Sequence, residues 1–187
     1  MLARCGQVWA LHIGNRYLTE LGAGENVNRN IRIKERDTVE TLSRAVAVGS
    51  LAGVATTVVV ALCGQRETGN PVAPINATSH VLWGDEAAAA DAVDMKHTLP
   101  GVVINAGAGV FWACVQQLLL KRVPRTNGAV VASGVAVAAL AYVVDYHLIP
   151  RRLSPGWELR VSGRSVALGF VALGASLALV ALAGARR

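Results

Sequence analysis

Residues 45–64 read AVAVGSLAGVATTVVVALCG, a run of 20 residues that contains no Asp, Glu, Lys or Arg. An α-helix of about 20 residues rises roughly 30 Å, which matches the hydrocarbon core of a membrane. Comparable apolar runs occupy residues 99–120, 129–149 and 166–184. A buried helix of a soluble protein would explain one such run, but four leave too little polar surface to dissolve the fold. The four runs therefore predict an all-α, integral membrane four-helix bundle.

The composition of the chain agrees with a membrane protein. Hydrophobic residues make up 53% of the 187 residues and charged residues only 16%, outside the balance of soluble domains. Residues 43–187 are predicted to form the four-helix transmembrane domain. Residues 1–42 form a separate block, in which glycines and asparagines interrupt a helical pattern before a charged stretch. We expect this N-terminal cytoplasmic segment to be partly disordered or to lie on the membrane as an amphipathic helix.

Three loops connect the predicted spans. The second, residues 121–128, is short and predicts an antiparallel hairpin of spans two and three. The first outer loop, residues 65–98, is long; Pro71 and Pro74 end any continuing helix, and residues 75–95 after them are predicted to form one or two short helices. The third, residues 150–165, carries Trp157, which we expect to anchor at the membrane interface.

The charges of the loops predict both the orientation and a contact between loops. Ten Lys and Arg residues lie in residues 29–44, 121–125 and 186–187, against six in the first and third loops, so both termini are predicted to be cytoplasmic. The net charge of +6 thus reflects membrane orientation, with lipids and no nucleic acid as expected partners. The first and third loops have formal charges of −3 and +3, which predicts that they dock. The alternative is that the arginines bind anionic lipid head groups.

Spans two and three each carry a stripe of small and polar residues at helical spacing. The members are Asn105, Gly109, Trp112, Ala113 and Gln116 in span two, and Gly134, Ala138, Ala141, Tyr142 and Asp145 in span three. We expect the two stripes to pack on each other across the hairpin, with a hydrogen bond between Asn105 and Asp145, although Asp145 could instead bond local groups at its helix end. Gly49 and Gly53 offer a similar close approach on span one.

The predicted outer loops hold most of the remaining polar candidates. They are His80, Asp85, Glu86, His97, His147, Arg151 and Arg152. Asp91, Asp94 and His97 have the i, i+3, i+6 spacing of ligands on one helical face, but a solvated acidic helix has the same pattern, and we expect no metal and no cofactor. Cys5, Cys63 and Cys114 lack paired spacing and are predicted to be free thiols.

Two polar stretches carry a resemblance to a known group of proteins. They are PINATSHVLWGDE at residues 74–86 and YVVDYHLIPRRLSPGWE at residues 142–158. In these stretches the chain resembles a group of small four-span bacterial inner-membrane proteins whose activity is uncharacterised, over about residues 43–184. The resemblance implies a multi-pass protein of the bacterial inner membrane and assigns no catalytic residues.

The sequence favours a structural or accessory membrane component, which associates with itself or with a partner membrane protein. The common nucleotide, zinc-protease and hydrolase motifs are absent, so we expect no enzyme activity. One alternative is a small transporter or channel with a polar path near Asp145, Asn105 and Gln116. A second alternative is a membrane enzyme that acts on lipid head groups through His80, Asp85 and His97.

Overall fold

The computed structural model describes the backbone of residues 2–185 and the side chains of residues 26–184. Within these residues the chain is helical and contains no β-strand, which confirms the predicted all-α class. The chain divides into two units, Met1–Thr41 and Leu42–Arg187. In the first unit, residues 26–40 are helical with exposed side chains.

Six α-helices make up the described chain: α1 (Leu2–Thr68), α2 (Ala73–Thr78), α3 (His80–Trp83), α4 (Thr98–Leu120), α5 (Asn127–Val143) and α6 (Gly163–Ala185). Short 3-10 turns follow at Gly84–Ala89, Arg151–Leu153 and Trp157–Leu159, and α5 continues into a π-helical turn at Val144–Leu148. Four of the helices are long and apolar enough to cross a membrane, over Asn26–Thr68, Thr98–Leu120, Asn127–Leu148 and Gly163–Gly184. The number of apolar helices and their positions are as predicted.

Local signals explain where the long helices begin and end. The α1 helix ends where Gly69 adopts a left-handed conformation at φ +73°, and Pro71 follows. Thr126 caps the start of α5, because its hydroxyl accepts a hydrogen bond of 3.1 Å from the backbone N–H of Ala129. Pro100 lies in the first turn of α4, where the missing N–H leaves no helical hydrogen bond unmade.

Glycines bring α1 and α4 into close antiparallel contact. Gly49 lies against Gly109, and Gly53 lies against Ala106 further along both helices. A methyl group at Gly49 would be 2.6 Å from the carbonyl oxygen of Gly109, and one at Gly53 would be 2.9 Å from the Cα of Ala106. Both distances are too short for real side chains, so the predicted close approach at Gly49 and Gly53 is confirmed.

Gly134 and Ala138 of α5 pack on α6. A methyl group at Gly134 would be 3.1 Å from the Cβ of Ala178, and one at Gly174 would be 2.8 Å from the Cβ of Ala138. The prediction that the stripes of spans two and three pack on each other was therefore wrong for Gly109, Gly134 and Ala138. The reason is that α6 offers its own small residues to α5, while Gly109 of α4 already contacts α1.

A continuous apolar core joins the four long helices. Val60 of α1 lies against Gly169 of α6, so these two helices also touch. Val60, Val137 and Leu177 are among the largest fully buried side chains. Cys63 is buried and Cys114 half-buried, and both are free thiols as predicted, whereas the side chain of Cys5 lies outside the described residues.

Candidate functional site

The first and third loops pack together over one end of the four long helices, and we call the two docked loops the cap (residues 69–97 and 149–162). His80 is 3% exposed, and its Nε2 lies 2.8 Å from the carbonyl oxygen of Ser154. The indole N–H of Trp157 donates a hydrogen bond of 3.1 Å to the hydroxyl of Thr78. Trp157 is 4% exposed, so its side chain is buried in the protein and does not anchor in lipid as predicted. Its ring instead packs 5.7 Å from that of Phe170.

An ion pair reinforces the contact between the loops. The guanidinium of Arg160 pairs with the carboxylate of Asp91 and also donates a hydrogen bond of 2.6 Å to the carbonyl oxygen of Ala88. Arg152 reaches the carbonyl oxygen of Leu82 at 3.4 Å. The predicted docking of oppositely charged loops is confirmed at Arg160 and Asp91.

Asn76 organises the first loop from a fully buried position. Its amide donates hydrogen bonds to the carbonyl oxygens of Ala90 at 2.9 Å and Ala92 at 2.8 Å. Its Oδ1 accepts a hydrogen bond of 2.7 Å from the hydroxyl of Thr98. One side chain thus ties the chain after the 3-10 turn to the start of α4. Sequence reasoning missed this role, because an Asn between Ile75 and Ala77 gives no sign of its long-range hydrogen-bond partners.

The acidic residues before α4 do not share a helical face. Asp91 and Asp94 lie in irregular backbone, where Asp91 pairs with Arg160 and Asp94 lies 2.7 Å from the Nδ1 of His97. The hydrogen bond from the His97 ring holds the pKa of Asp94 below its usual value, and the backbone N–H of His97 adds to this. The i, i+3, i+6 interpretation was wrong, since the helix it needs does not form. Among the described residues, no group of three or more His, Cys, Asp or Glu could hold a metal.

The other candidates of the outer loops are dispersed. Lys96 pairs with Glu86 at 2.8 Å, and the hydrogen bond from its ammonium lowers the pKa of Glu86. Asp85 and His147 are exposed, and the ring of His147 lies 5.4 Å from that of Tyr142. Arg151 and Arg152 are exposed as well. His80, Asp85 and His97 have no partner in common, so they do not form one reactive cluster.

A polar cavity of about 90 Å³ lies beneath the cap. Thr56, Asn105 and Asp145 supply side-chain polar groups to its wall. The remaining wall includes the rings of Trp112, Trp157 and Phe170. The volume corresponds to about three water molecules, so the cavity has room for water or for a small polar ligand.

Asn105 and Asp145 line this cavity together but are not hydrogen-bonded to each other. The Nδ2 of Asn105 is buried and has no hydrogen-bond partner among the described residues. The predicted proximity of the two side chains is confirmed, whereas the predicted hydrogen bond was wrong. The π-helical turn at Val144–Leu148 changes the helical periodicity from which the direction of Asp145 was inferred.

Gln116 belongs to a different place in the fold. It is fully buried between α4 and α5, and its Nε2 donates a hydrogen bond of 3.1 Å to the hydroxyl of Ser133. It does not line the cavity beneath the cap. The three polar residues expected to form one path therefore occupy two separate sites.

Thr56 is a member of the cavity wall that sequence reasoning missed. Its Oγ1 is buried without a hydrogen-bond partner in the described part of the chain. The neighbouring Thr57 bonds back to the carbonyl oxygen of Gly53 at 2.8 Å, as hydroxyls in apolar helices commonly do. The signal was the Thr-Thr pair within an otherwise apolar run, since one of two adjacent hydroxyls must point to another side of the helix.

Comparisons of the chain with protein-family models, with curated proteins and with solved structures gave no match. The resemblance to small four-span bacterial proteins stays a prediction.

Proposed function

We propose that the protein is an integral protein of the bacterial inner membrane with both termini cytoplasmic, a four-helix bundle that acts as a structural or accessory component and associates with a second copy of itself. Large apolar side chains on the outside of the helices support membrane insertion. Leu51, Val54, Val58 and Leu62 on α1 are each more than half exposed. Such a surface would be unfavourable in water and suits contact with lipid.

The observation that supports the accessory function is the separation of Gln116 from the polar cavity. A transport route needs polar groups that follow one another across the membrane. The cavity reaches Gly109 and Trp112 on α4, and Gln116 beyond them is engaged with Ser133. This arrangement favours a protein that acts through its surfaces.

The groove between α5 and α6 is the surface that we assign to self-association. It has a volume of about 510 Å³ and a floor of small residues that includes Ala138, Gly174 and Ala178. Val135 and Val171, which are 64% and 63% exposed, stand at its borders. Small residues allow helices to approach closely in a membrane. In a two-fold dimer, Val135 and Val171 of one copy would pack on the small residues in the groove of the other.

Cysteine cross-linking in native membranes tests this dimer. In a background with the natural cysteines replaced by serine, Ala139→Cys or Ala175→Cys places a thiol in the groove, whereas Val54→Cys places one on the exposed face of α1. Oxidation with copper phenanthroline should produce a disulfide-linked dimer from the groove variants and little from Val54→Cys. Equal cross-linking of all three variants, or none, would contradict the proposal.

A small transporter is the second candidate, and the polar cavity favours it. Two buried polar atoms, Asn105 Nδ2 and Thr56 Oγ1, lack partners beside the carboxyl of Asp145. Proton or cation flux into proteoliposomes that is abolished by Asp145→Asn but kept in Asp85→Asn would establish this candidate over the accessory role.

A further inference from the structure

Two buried polar groups in the wall of the cavity beneath the cap have no partner in the fold. Thr56 of α1 and Asn105 of α4 are 5% and 7% exposed, and both line the cavity. The hydroxyl oxygen of Thr56 and the amide nitrogen of Asn105 form no hydrogen bond with any described residue. Buried polar groups are hydrogen-bonded in nearly all proteins, so this hydroxyl and this amide point to a bound molecule.

The charge that the wall offers is negative. Among the described residues that line the cavity, only Asp145 has a carboxyl or a basic side chain. Its carboxylate forms no hydrogen bond or ion pair within the described part of the chain. An ionised carboxylate within a membrane span is unfavourable unless a cation pairs with it. The wall has no Lys, Arg or His to supply this cation, which leaves the positive charge to the ligand.

The rest of the wall favours an organic cation over a metal ion. It includes the rings of Trp112, Trp157 and Phe170. These rings offer no oxygen ligand to a metal ion, whereas the faces of aromatic rings attract ammonium groups. The volume of about 90 Å³ corresponds to about three water molecules, so the cavity accommodates an organic ligand of about four non-hydrogen atoms.

The three polar side chains define the groups that such a ligand needs. An ammonium group on the ligand would donate to the carboxylate of Asp145. The amide N–H of Asn105 is a donor, so it needs an acceptor oxygen, and the hydroxyl of Thr56 can donate to the same oxygen or accept from it. A molecule with an ammonium group and a hydroxyl on adjacent carbon atoms meets these needs with four non-hydrogen atoms.

We propose that the cavity binds a small primary amino alcohol, with its ammonium group at Asp145 and its oxygen at Asn105 and Thr56. Ethanolamine is the simplest such molecule. The head group of phosphatidylethanolamine carries the same ammonium group with an adjacent oxygen, but its phosphate exceeds the volume of the cavity, which favours the free amino alcohol. The proposal depends neither on self-association nor on transport, so failure of either would leave the binding result unaffected.

Fluorescence titration of the full chain in detergent tests the site, because Trp112 and Trp157 line the cavity and report on its occupancy. The titrants are ethanolamine, ethylamine, which lacks the hydroxyl, and ethylene glycol, which lacks the ammonium group. Ethanolamine should bind about fivefold more tightly than ethylamine and at least about tenfold more tightly than ethylene glycol, in line with the loss of a neutral and of a charged hydrogen bond. Equal binding of either analogue would overturn the assignment of the group that it lacks. Absence of saturable ethanolamine binding would overturn the site itself.

Nanodiscs of two lipid compositions distinguish the two sources of the ammonium group. Ethanolamine should bind with equal affinity in discs of phosphatidylcholine and in discs that also contain phosphatidylethanolamine. Binding about tenfold weaker in the presence of phosphatidylethanolamine would overturn the free amino alcohol and assign the site to the lipid head group.

Two isosteric variants with matched controls locate the binding. Asp145→Asn should weaken ethanolamine binding at least about tenfold, whereas Asp85→Asn, which alters an exposed acid outside the cavity wall, should change it less than about twofold. Thr56→Val removes a hydroxyl from the wall and should weaken binding about threefold. Thr57→Val removes the neighbouring hydroxyl, which donates to the carbonyl oxygen of Gly53 and does not line the cavity, and should leave the affinity unchanged. Equal effects within either pair would overturn the proposed site.

Discussion

Replacement of Gly109 by alanine tests the contact between α1 and α4. The added methyl group would be 2.9 Å from the backbone nitrogen and 3.1 Å from the Cα of Gly53, and closer still to the carbonyl oxygen of Gly49. Ordinary contacts of a Cβ lie at 3.4–4 Å, so the two helices must separate by roughly half to one ångström. Overpacking of this kind lowers the free energy of unfolding by about 1–3 kcal/mol.

Gly107 provides a matched control on the same helix. A methyl group at this position meets nothing within 4 Å, so Gly107→Ala brings only the better helix propensity of alanine, about 0.5–1 kcal/mol. Thermal unfolding in detergent, followed by the helical circular dichroism signal, should place the midpoint of Gly109→Ala roughly 5–10 °C below that of Gly107→Ala. Equal midpoints would show that α1 and α4 do not approach each other at these glycines.

Three further predictions concern the cap and the orientation. Arg160→Gln should lower the free energy of unfolding of the cap by about 1 kcal/mol, and hydrogen exchange of the first loop should increase; unchanged exchange would contradict the docking. Hydrogen bonds from His97 lower the pKa of Asp94 in the folded protein. The interaction between the two residues therefore contributes to stability above the ordinary pKa of 3.8, and this contribution is lost as the pH falls through the lower pKa of Asp94 in the folded protein. Asp94→Asn should therefore remove part of the acid dependence of thermal unfolding, and an unaltered acid profile would refute this. A membrane-impermeant thiol reagent applied to intact cells should label Asp85→Cys and not Asn127→Cys, and the reverse pattern would invert the topology.

The number and location of the apolar helices were predictable from sequence, because this signal is local. A run such as residues 45–64 has the length and composition of a span whatever its neighbours are. The close approach at Gly49 and Gly53 was likewise predictable, since two glycines one turn apart remove the side chains from one face of the helix. The opposite charges of two loops on one side also sufficed to predict that the loops dock, which the pair between Arg160 and Asp91 confirms.

Partners of individual helix faces were not predictable, because several helices carry equivalent small residues. Gly109, Gly134 and Gly174 have the same local character, and only the assembled structure shows that Gly134 meets Gly174 while Gly109 meets α1. The direction of Asp145 was missed for a related reason. Asp145 lies in a π-helical turn, and the sequence pattern of an α-helix does not reveal where such a turn occurs.

The two glycine contacts also explain why cavities occur at both ends of the long helices. They draw α1 onto α4 and α5 onto α6. The cavity beneath the cap and a pocket of about 470 Å³ at the opposite end of the long helices, whose wall includes Val48, Gln117 and Val180, each have walls from both pairs, so both lie where one pair faces the other. Gly53 and Gly109 are themselves part of the cavity wall beneath the cap. A methyl group at Gly109 should therefore alter the surroundings of Asn105 as well as the stability, whereas one at Gly107, which lies outside this wall, should leave them unchanged.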